Sequence, residues 1–320
     1  MTDFAVVIAA YQAEQTIAEA VESALGQTRP PREVIVCDDG STDGTPGELA
    51  RFGDRIIVLR QANGGEAAAR NAAIRVAGAE WIAVLDADDV FLPTRLEALD
   101  ALARGRPELD ILTTDAVLEV DGTPVRRCYD ETWTFETGDQ RAAILERNFV
   151  FGLVAVRREL ILAAGGYDES IRYATDWDCW IRLVLAGARV GLVPEPLARY
   201  RLRSTSLSAQ RSLLLEGKAL VLERAAANPA LTAAERALVE RRAAAFRRDG
   251  LVAGAHEALA AGDPGARTRA RTVARTAGLG AGTRLQAAVA AAAPRLSGAL
   301  LRRRLRRAGR RGPAGLTLPF

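Results

Sequence analysis

Trp81-Ile82-Ala83-Val84-Leu85-Asp86-Ala87-Asp88-Asp89 is a short apolar run that ends in carboxylates. Such a run reads as a buried strand whose C-terminal end opens into a site. Val34-Ile35-Val36-Cys37 followed by Asp38-Asp39-Gly40-Ser41 has the same form. In open α/β sheets the ligand crevice lies outside those strand ends. Two later acidic clusters, Gly165-Gly166-Tyr167-Asp168-Glu169 and Asp176-Trp177-Asp178, fall where an alternating chain would bring them to the same crevice. Gathered carboxylates repel one another unless a cation or polar ligand joins them, so the pattern points to a metal and a phosphorylated ligand.

Strands are expected at Phe4 to Ala9, Glu33 to Asp38, Arg55 to Arg60 and Trp81 to Leu85. Between them come helices at Thr16 to Leu25, from Thr45 with a Thr45/Glu48 capping box, and at Glu66 to Ala77. This alternation implies a parallel, right-handed wound sheet for the first 90 residues or so. Next come a helix to Ala103, a strand near Ile111, a hairpin around Asp121-Gly122, a strand at Phe149 to Val156 and a helix at Asp176 to Ala186. Beyond Ser208 the pattern is helical throughout, with breaks at Asn228-Pro229 and Gly262-Asp263-Pro264 and a second capping box, Thr232/Glu235. The expected organisation is an α/β domain over 1–208, a helical extension over 209–298 and a basic tail over 299–320.

The net charge of +3 hides an asymmetry. Residues 1–208 carry 22 basic and 33 acidic side chains, whereas residues 209–320 carry 21 and 7, with no acid after Asp263. An acidic front and a basic rear suggest two jobs, the second facing something anionic. Cys37 in an apolar strand favours a reduced thiol and a cytoplasmic setting. No apolar stretch reaches the length of a membrane span, and the N-terminus has no signal-peptide pattern.

The ordered motifs resemble inverting family 2 glycosyltransferases of the GT-A fold. The resemblance is carried by Val6-Val7-Ile8-Ala9-Ala10-Tyr11, Glu33 to Thr45, Asn63-Gly64-Gly65 with Ala69-Arg70-Asn71, and Leu85-Asp86-Ala87-Asp88-Asp89. It continues through Gly165 to Glu169, Asp176-Trp177-Asp178 and Arg199-Tyr200-Arg201, over roughly two thirds of the chain. It implies transfer of one sugar from a nucleotide-diphospho-sugar, with a UDP-sugar the commonest donor, to a glycan or lipid-linked acceptor in cell-envelope or polysaccharide synthesis. The leaving diphosphate gathers charge in the transition state, and a divalent cation, Mg²⁺ or Mn²⁺, stabilises it.

By that resemblance Asp88 binds the metal and Asp86 contacts the donor's ribose or sugar. If the stretch stays extended, alternate residues face one way and the two carboxylates share a site. Asp39 bonds the base, with Ala10 and Tyr11 against it and Glu14 closing the pocket, while Asp38 braces the loop. Arg70 lies near the nucleotide, or else pairs with a site carboxylate. Asp176 is the general base for the acceptor hydroxyl and Asp178 the runner-up, because residues two apart on a helix point about 200° from each other. Asp168 fixes its loop, and Trp177 and Trp180 are core or acceptor-wall aromatics. The sequence departs from the family twice: Thr175-Asp176 replaces a Glu-Asp pair, and Arg203 stands where many relatives carry a histidine. Arginine cannot bind a metal but can neutralise diphosphate. The lone histidine, His256, is an ordinary helix residue.

Leu300-Leu301-Arg302-Arg303-Arg304-Leu305-Arg306-Arg307 and Arg310-Arg311 suit an anionic membrane surface, giving a protein peripheral to the cytoplasmic membrane, or a solvated tail. The absence of interleaved aromatics argues against single-stranded nucleic acid. Two alternatives stand beside transfer. A same-fold nucleotidyltransferase would want a glycine-rich basic loop that Ala9 to Glu14 lacks. A non-catalytic nucleotide-sugar or glycan-binding module would not require Asp39, Asp86, Asp88 and Asp176 together.

Overall fold

The computed structural model describes residues 2–202 and 211–309. The chain divides between residues 203 and 204 into two compact units. The first contains β1 (Phe4–Ala10), α1 (Ile17–Leu25), β2 (Glu33–Asp38), α2 (Thr45–Ala50), β3 (Ile57–Arg60), α3 (Glu66–Val76) and β4 (Trp81–Asp86). It continues through β5 (Val90–Phe91), α4 (Arg95–Gly105), β6 (Ile111–Val120), β7 (Thr123–Arg127), α5 (Gln140–Glu146), β8 (Val154–Arg157), α6 (Arg158–Ala163), α7 (Thr175–Leu185) and β9 (Val190–Leu202). The second is helical among its described residues: α8 (Arg211–Ala226), α9 (Ala233–Ala261), α10 (Ala266–Arg275), α11 (Ala281–Ala292) and α12 (Pro294–Gly309).

The strands of the first unit form one sheet in the order β3-β2-β1-β4-β8-β6-β9-β5, with β7 paired to β6. It is parallel across β3-β2-β1-β4, as the alternation over the first 90 residues implies. Val6, Val7 and Ile8 of β1 and Ile82, Val84 and Leu85 of β4 have no exposed surface, the continuous burial expected of strands covered on both faces. Beyond Asp86 the sheet becomes mixed, because β8 runs antiparallel to both β4 and β6 while β9 runs parallel to β6. The hairpin at Asp121-Gly122 forms between β6 and β7 with a register shift at Leu118/Glu119. Cys37, Cys128 and Cys179 are free and buried.

Two expectations are corrected. The run Phe149 to Val156 is a strand only from Val154. Phe149 and Phe151 are instead buried in an aromatic group, edge-on to Phe135 and Trp133 respectively. Their backbone is satisfied by one side chain: the Tyr129 hydroxyl donates to the Phe149 carbonyl at 2.9 Å and accepts from the Phe151 N–H at 3.0 Å. An apolar run can thus be buried without joining a ladder. The Thr45/Glu48 capping box does not form either, since α2 is preceded by Gly44 and has no side-chain cap. The Thr45 hydroxyl donates to Asp43 at 2.6 Å and accepts from the Ala13 N–H at 2.8 Å, tying the loop after β1 to the turn after β2. At Thr232 the box is present, with Glu235 N–H to Thr232 Oγ1 at 3.2 Å and Thr232 N–H to Glu235 Oε2 at 2.8 Å.

One joint fixes the loop before α7. Asn71 on α3 bonds the backbone of Tyr167 as a strand would, accepting its N–H and donating to its carbonyl, both at 2.8 Å. It also donates to Glu169 at 2.9 Å. Such close approach is possible because residue 166 is glycine: its φ is +74°, and a Cβ there would lie 2.4 Å from Asn71 Oδ1. Gly166→Ala therefore combines a strained backbone with a displaced buried amide. The expected loss is at least about 2 kcal/mol in urea denaturation, whereas a loss below about 0.5 kcal/mol would mean that the joint is not rigid.

Candidate active site

The C-terminal ends of β1, β2 and β4 and the N-terminal turn of α3 meet on one edge of the sheet. β1 ends at the buried Ala10, whose carbonyl accepts the Asp39 N–H at 2.8 Å. Tyr11 follows with 54 % of its surface exposed. Glu14 Oε2 accepts the Gly44 N–H at 2.8 Å, bridging the loops after β1 and β2. Asp38 and Asp39 are both buried. Asp38 accepts the Ser41 N–H at 2.9 Å, while Asp39 takes the N–H groups of Gly64 and Gly65 and the Gln61 amide at 2.8–2.9 Å. Asp39 thereby sets the course of Asn63-Gly64-Gly65 into α3.

At the centre is Arg70, buried on α3. Its Nη2 lies 2.5 Å from both Asp86 Oδ1 at the end of β4 and Glu66 Oε1 one turn earlier on its own helix. Its guanidinium carbon sits 5.3 Å from the centre of the Tyr167 ring. The pairing with a site carboxylate is thus the arrangement present, and it involves two of them. These two negative charges, Glu66 the larger influence, raise the guanidinium pKa well above its ordinary value despite burial, so Arg70 is a fixed cation. Glu66 keeps 37 % of its side-chain surface open, yet crowding by protein atoms is the largest influence raising its carboxyl pKa. Arg70 opposes that rise, and the charges of Asp86, Asp176 and Asp88 add to it. The charges of Asp86, Asp88 and Asp176 are thus all felt at Glu66.

The extended geometry expected for Asp86-Ala87-Asp88 is not adopted. The strand ends at Asp86 and the chain turns, with the Asp89 N–H donating to the Asp86 carbonyl at 3.1 Å. The turn is tied from beyond, because Asp89 is fully buried and accepts the Arg201 N–H of β9 at 2.8 Å. Burial first, and then the charges of Asp88 and Asp86, push the Asp89 carboxyl well above the carboxylate range. The side chain of Arg201 pairs with Glu19 on α1 at 2.7 Å, as Arg199 does at 2.9 Å, so the Arg199-Tyr200-Arg201 segment clamps β9 to α1.

Asp176 lies in the first turn of α7, where helix N–H groups favour a negative charge. It accepts the Asn148 amide at 3.1 Å. Asp178 points elsewhere: it is buried and pairs with Arg182 at 2.9 Å, one turn on. Arg182 also donates to the carbonyls of Ala164 and Gly166, both at 2.6 Å, which moors α7 to the loop held by Asn71. Trp177 and Trp180 are core residues, and Asp168 accepts the N–H of Ser170 within its own loop. Arg203 lies outside the described residues. Glu66 and Asn148 were not singled out from the sequence. Glu66 had one signal, its i,i+4 spacing to Arg70; Asn148 had none.

The donor set has the chemistry that a divalent cation takes. All the candidate donors are carboxylate oxygens, the hard ligands that Mg²⁺ and Mn²⁺ take. Among the described residues no three acidic, His or Cys side chains are arranged as a complete cage. An ion held by one or two carboxylates and completed by substrate phosphates needs none, so the residues fit.

This sheet, its carboxylate-lined strand ends and the helical continuation define the GT-A class of glycosyltransferase folds. Residues 5–163 match the model for glycosyl transferase family 2. Over 218 residues it is 32 % identical to the succinoglycan biosynthesis protein ExoO of Rhizobium meliloti (strain 1021), covering 64 % of this chain and 62 % of that protein. It therefore spans less than two thirds of ExoO's length. S. aureus TarS 1–349 in complex with UDP has a similar structure, with a TM-score of 0.59 at 17 % identity over 96 % of this chain and 92 % of that one. The mannosyltransferase PcManGT from Pyrobaculum calidifontis, in complex with GDP-Man and Mn²⁺, gives 0.59 at 20 % identity over 93 % and 86 %. These two likenesses establish the fold.

If Arg70 is the countercharge of the cluster, Arg70→Leu lowers stability by about 3 kcal/mol, the low end for a buried pair losing one partner, because Glu66 and Asp86 keep contact with water. Adding Glu66→Gln should restore part of it, as a double-mutant cycle in urea would show; strictly additive losses would contradict the coupling. The sign of the pH effect follows from the raised Glu66 pKa. Stability from this group is present below its ordinary value of 4.5 and declines as pH rises through the folded value. Glu66→Gln should flatten that decline, and an unchanged pH profile would reject it.

Proposed function

We propose that the protein is an inverting glycosyltransferase that moves a single sugar from a nucleotide-diphospho-sugar to a hydroxyl of a glycan or lipid-linked acceptor in polysaccharide or cell-envelope synthesis. The observation that carries this reading is the pairing of Glu66 and Asp86 with Arg70 at the end of β4, with Asp88 two residues beyond Asp86. The match to the family 2 model and the part ExoO plays in succinoglycan biosynthesis support it.

On this reading Ala10, Tyr11, Glu14 and Asp39 form the pocket for the nucleotide base, and Asp86 orients the ribose or sugar. Asp88 would hold Mg²⁺ or Mn²⁺ with the donor's phosphates, and the ion, when bound, neutralises charge on the departing diphosphate. Arg70 and Arg203 supply positive charge toward the same phosphates. Asp176 takes the proton of the acceptor hydroxyl as its oxygen forms the bond to the anomeric carbon. The bond from that carbon to the diphosphate breaks on the opposite face, inverting the configuration. Asn148 keeps the Asp176 carboxylate aimed. A UDP-sugar is the favoured donor, given the TarS complex with UDP; the GDP-Man and Mn²⁺ complex of PcManGT makes guanosine the alternative to test.

The test is a thermal-shift panel of UDP, GDP, dTDP and CDP, each with and without Mn²⁺, followed by transfer assays with Asp176→Asn. A nucleotide at 100 times its dissociation constant stabilises the fold by about 2.7 kcal/mol. One nucleotide is expected to stand out, more strongly with Mn²⁺. Asp176→Asn should keep that shift while losing transfer by at least about a hundredfold. Transfer surviving in the variant would remove Asp176 as the base. A shift with no transfer from the wild-type chain to any acceptor would favour a nucleotide-sugar-binding module.

A further inference from the structure

In the second unit the last two described helices carry large aliphatic side chains on their outer faces, although Leu301 of α12 packs inward. Ala287, Ala290 and Ala291 of α11 are buried, the last two against Leu259 of α9 and Ala270 of α10. Leu285 and Val289 of α11 are 67 % and 58 % exposed, and Leu296 and Leu300 of α12 are 64 % and 57 % exposed. Each pair is spaced i,i+4, so each helix carries an aliphatic stripe on its outer face. Single exposed leucines need no explanation; paired stripes on successive helices, backed by alanines on α11 and by Gly298 on α12, call for one. The stripes sit on a fixed support. Gly298 packs so closely on α9 that a Cβ would lie 2.3 Å from the Leu259 carbonyl, and Arg302 donates to the Ala260 carbonyl at 3.0 Å.

Arg284, Arg295 and Arg303 are exposed on the same two helices. Residues 264–320 hold 13 arginines and no acid. We propose that the outer faces of α11 and α12 dock on an anionic phospholipid bilayer. The leucines and valine would reach the acyl boundary while the arginines pair with lipid phosphates. Charge selects this occupant over the others. A second copy of the chain would set one arginine-rich face against another. A nucleic acid would pair the arginines but leave the four aliphatic side chains against its polar backbone, and residues 264–309 contain no aromatic residue on which bases could stack. Among the described residues no helix is long and apolar enough to cross a membrane, so the contact is with the surface.

The test is co-sedimentation of the full chain with phosphatidylcholine vesicles, either alone or with about 30 mol% phosphatidylglycerol. Binding is expected only with the anionic lipid and should fall steeply with added salt. Leu296→Ser with Leu300→Ser, both at exposed positions, should weaken it about tenfold or more, with an unchanged circular dichroism spectrum. Equal binding to neutral vesicles, no binding to either, or a serine variant that binds like wild type would each overturn the proposal. So would a wild-type dimer, seen by size exclusion, that the serine variant dissolves without any vesicle binding. No sugar nucleotide enters the assay, so its outcome is independent of whether the first unit transfers sugar.

Discussion

The buried positive charge of Arg70 is the constraint on which the candidate site rests. Without it the ends of β4 and α3 would bring Asp86 and Glu66 together with nothing between them. Like charges at such separation raise each other's pKa or drive the elements apart. With it, one guanidinium orients both carboxylates and caps the Tyr167 ring. Removing one partner from a buried pair commonly costs about 3–5 kcal/mol, a large share of a domain's stability. Arginine suits the position because its charge survives burial and one of its nitrogens, Nη2, serves two acceptors at once.

Order spreads from α3 by a short mechanical chain. One position after Arg70, Asn71 fixes Tyr167 and the loop around it. That loop offers the carbonyls of Ala164 and Gly166 to Arg182, which in turn holds Asp178 on α7. Asp176 is therefore positioned from behind by residues that need never touch a ligand. On the proposed reading this explains why an acidic pair two residues apart divides its work: Asp178 anchors the helix and Asp176 faces the crevice. The same crevice is acidic: Glu66 and Asp86 share one guanidinium, and the charges of Asp88 and Asp176 bear on Glu66. An anionic diphosphate would enter it more readily with a divalent cation than alone.

Much of this was legible in the sequence, for identifiable reasons. The strands of the parallel half announce themselves because burial on both faces demands unbroken apolar runs, as in Trp81 to Leu85. The carboxylates at their ends were legible because strand C-termini converge. Other features were hidden. β9 runs for 13 residues through Pro194, Pro196, Arg199 and Arg201, a composition that breaks the strand pattern. The arginines are accommodated by Glu19 and Glu119 from other elements, which no local window contains. The turn at Asp86–Asp89 is set by a bond to Arg201, 112 residues away. Asn148 reaches Asp176 from an irregular segment held by the Tyr129 hydroxyl, again a tertiary fact. What sequence patterns miss here is the set of side chains that satisfy backbone groups or charges from a distance.

On the proposed reading, the ends of β1, β2 and β4, together with the start of α3, form a single nucleotide site. Hydrogen–deuterium exchange with and without the best-binding nucleoside diphosphate and Mn²⁺ tests it directly. Slowed exchange should concentrate in residues 10–14, 39–45, 61–70 and 86–89, and the helices of the second unit should be unaffected. Protection confined to the second unit, or absent from those four segments at saturating nucleotide, would contradict it.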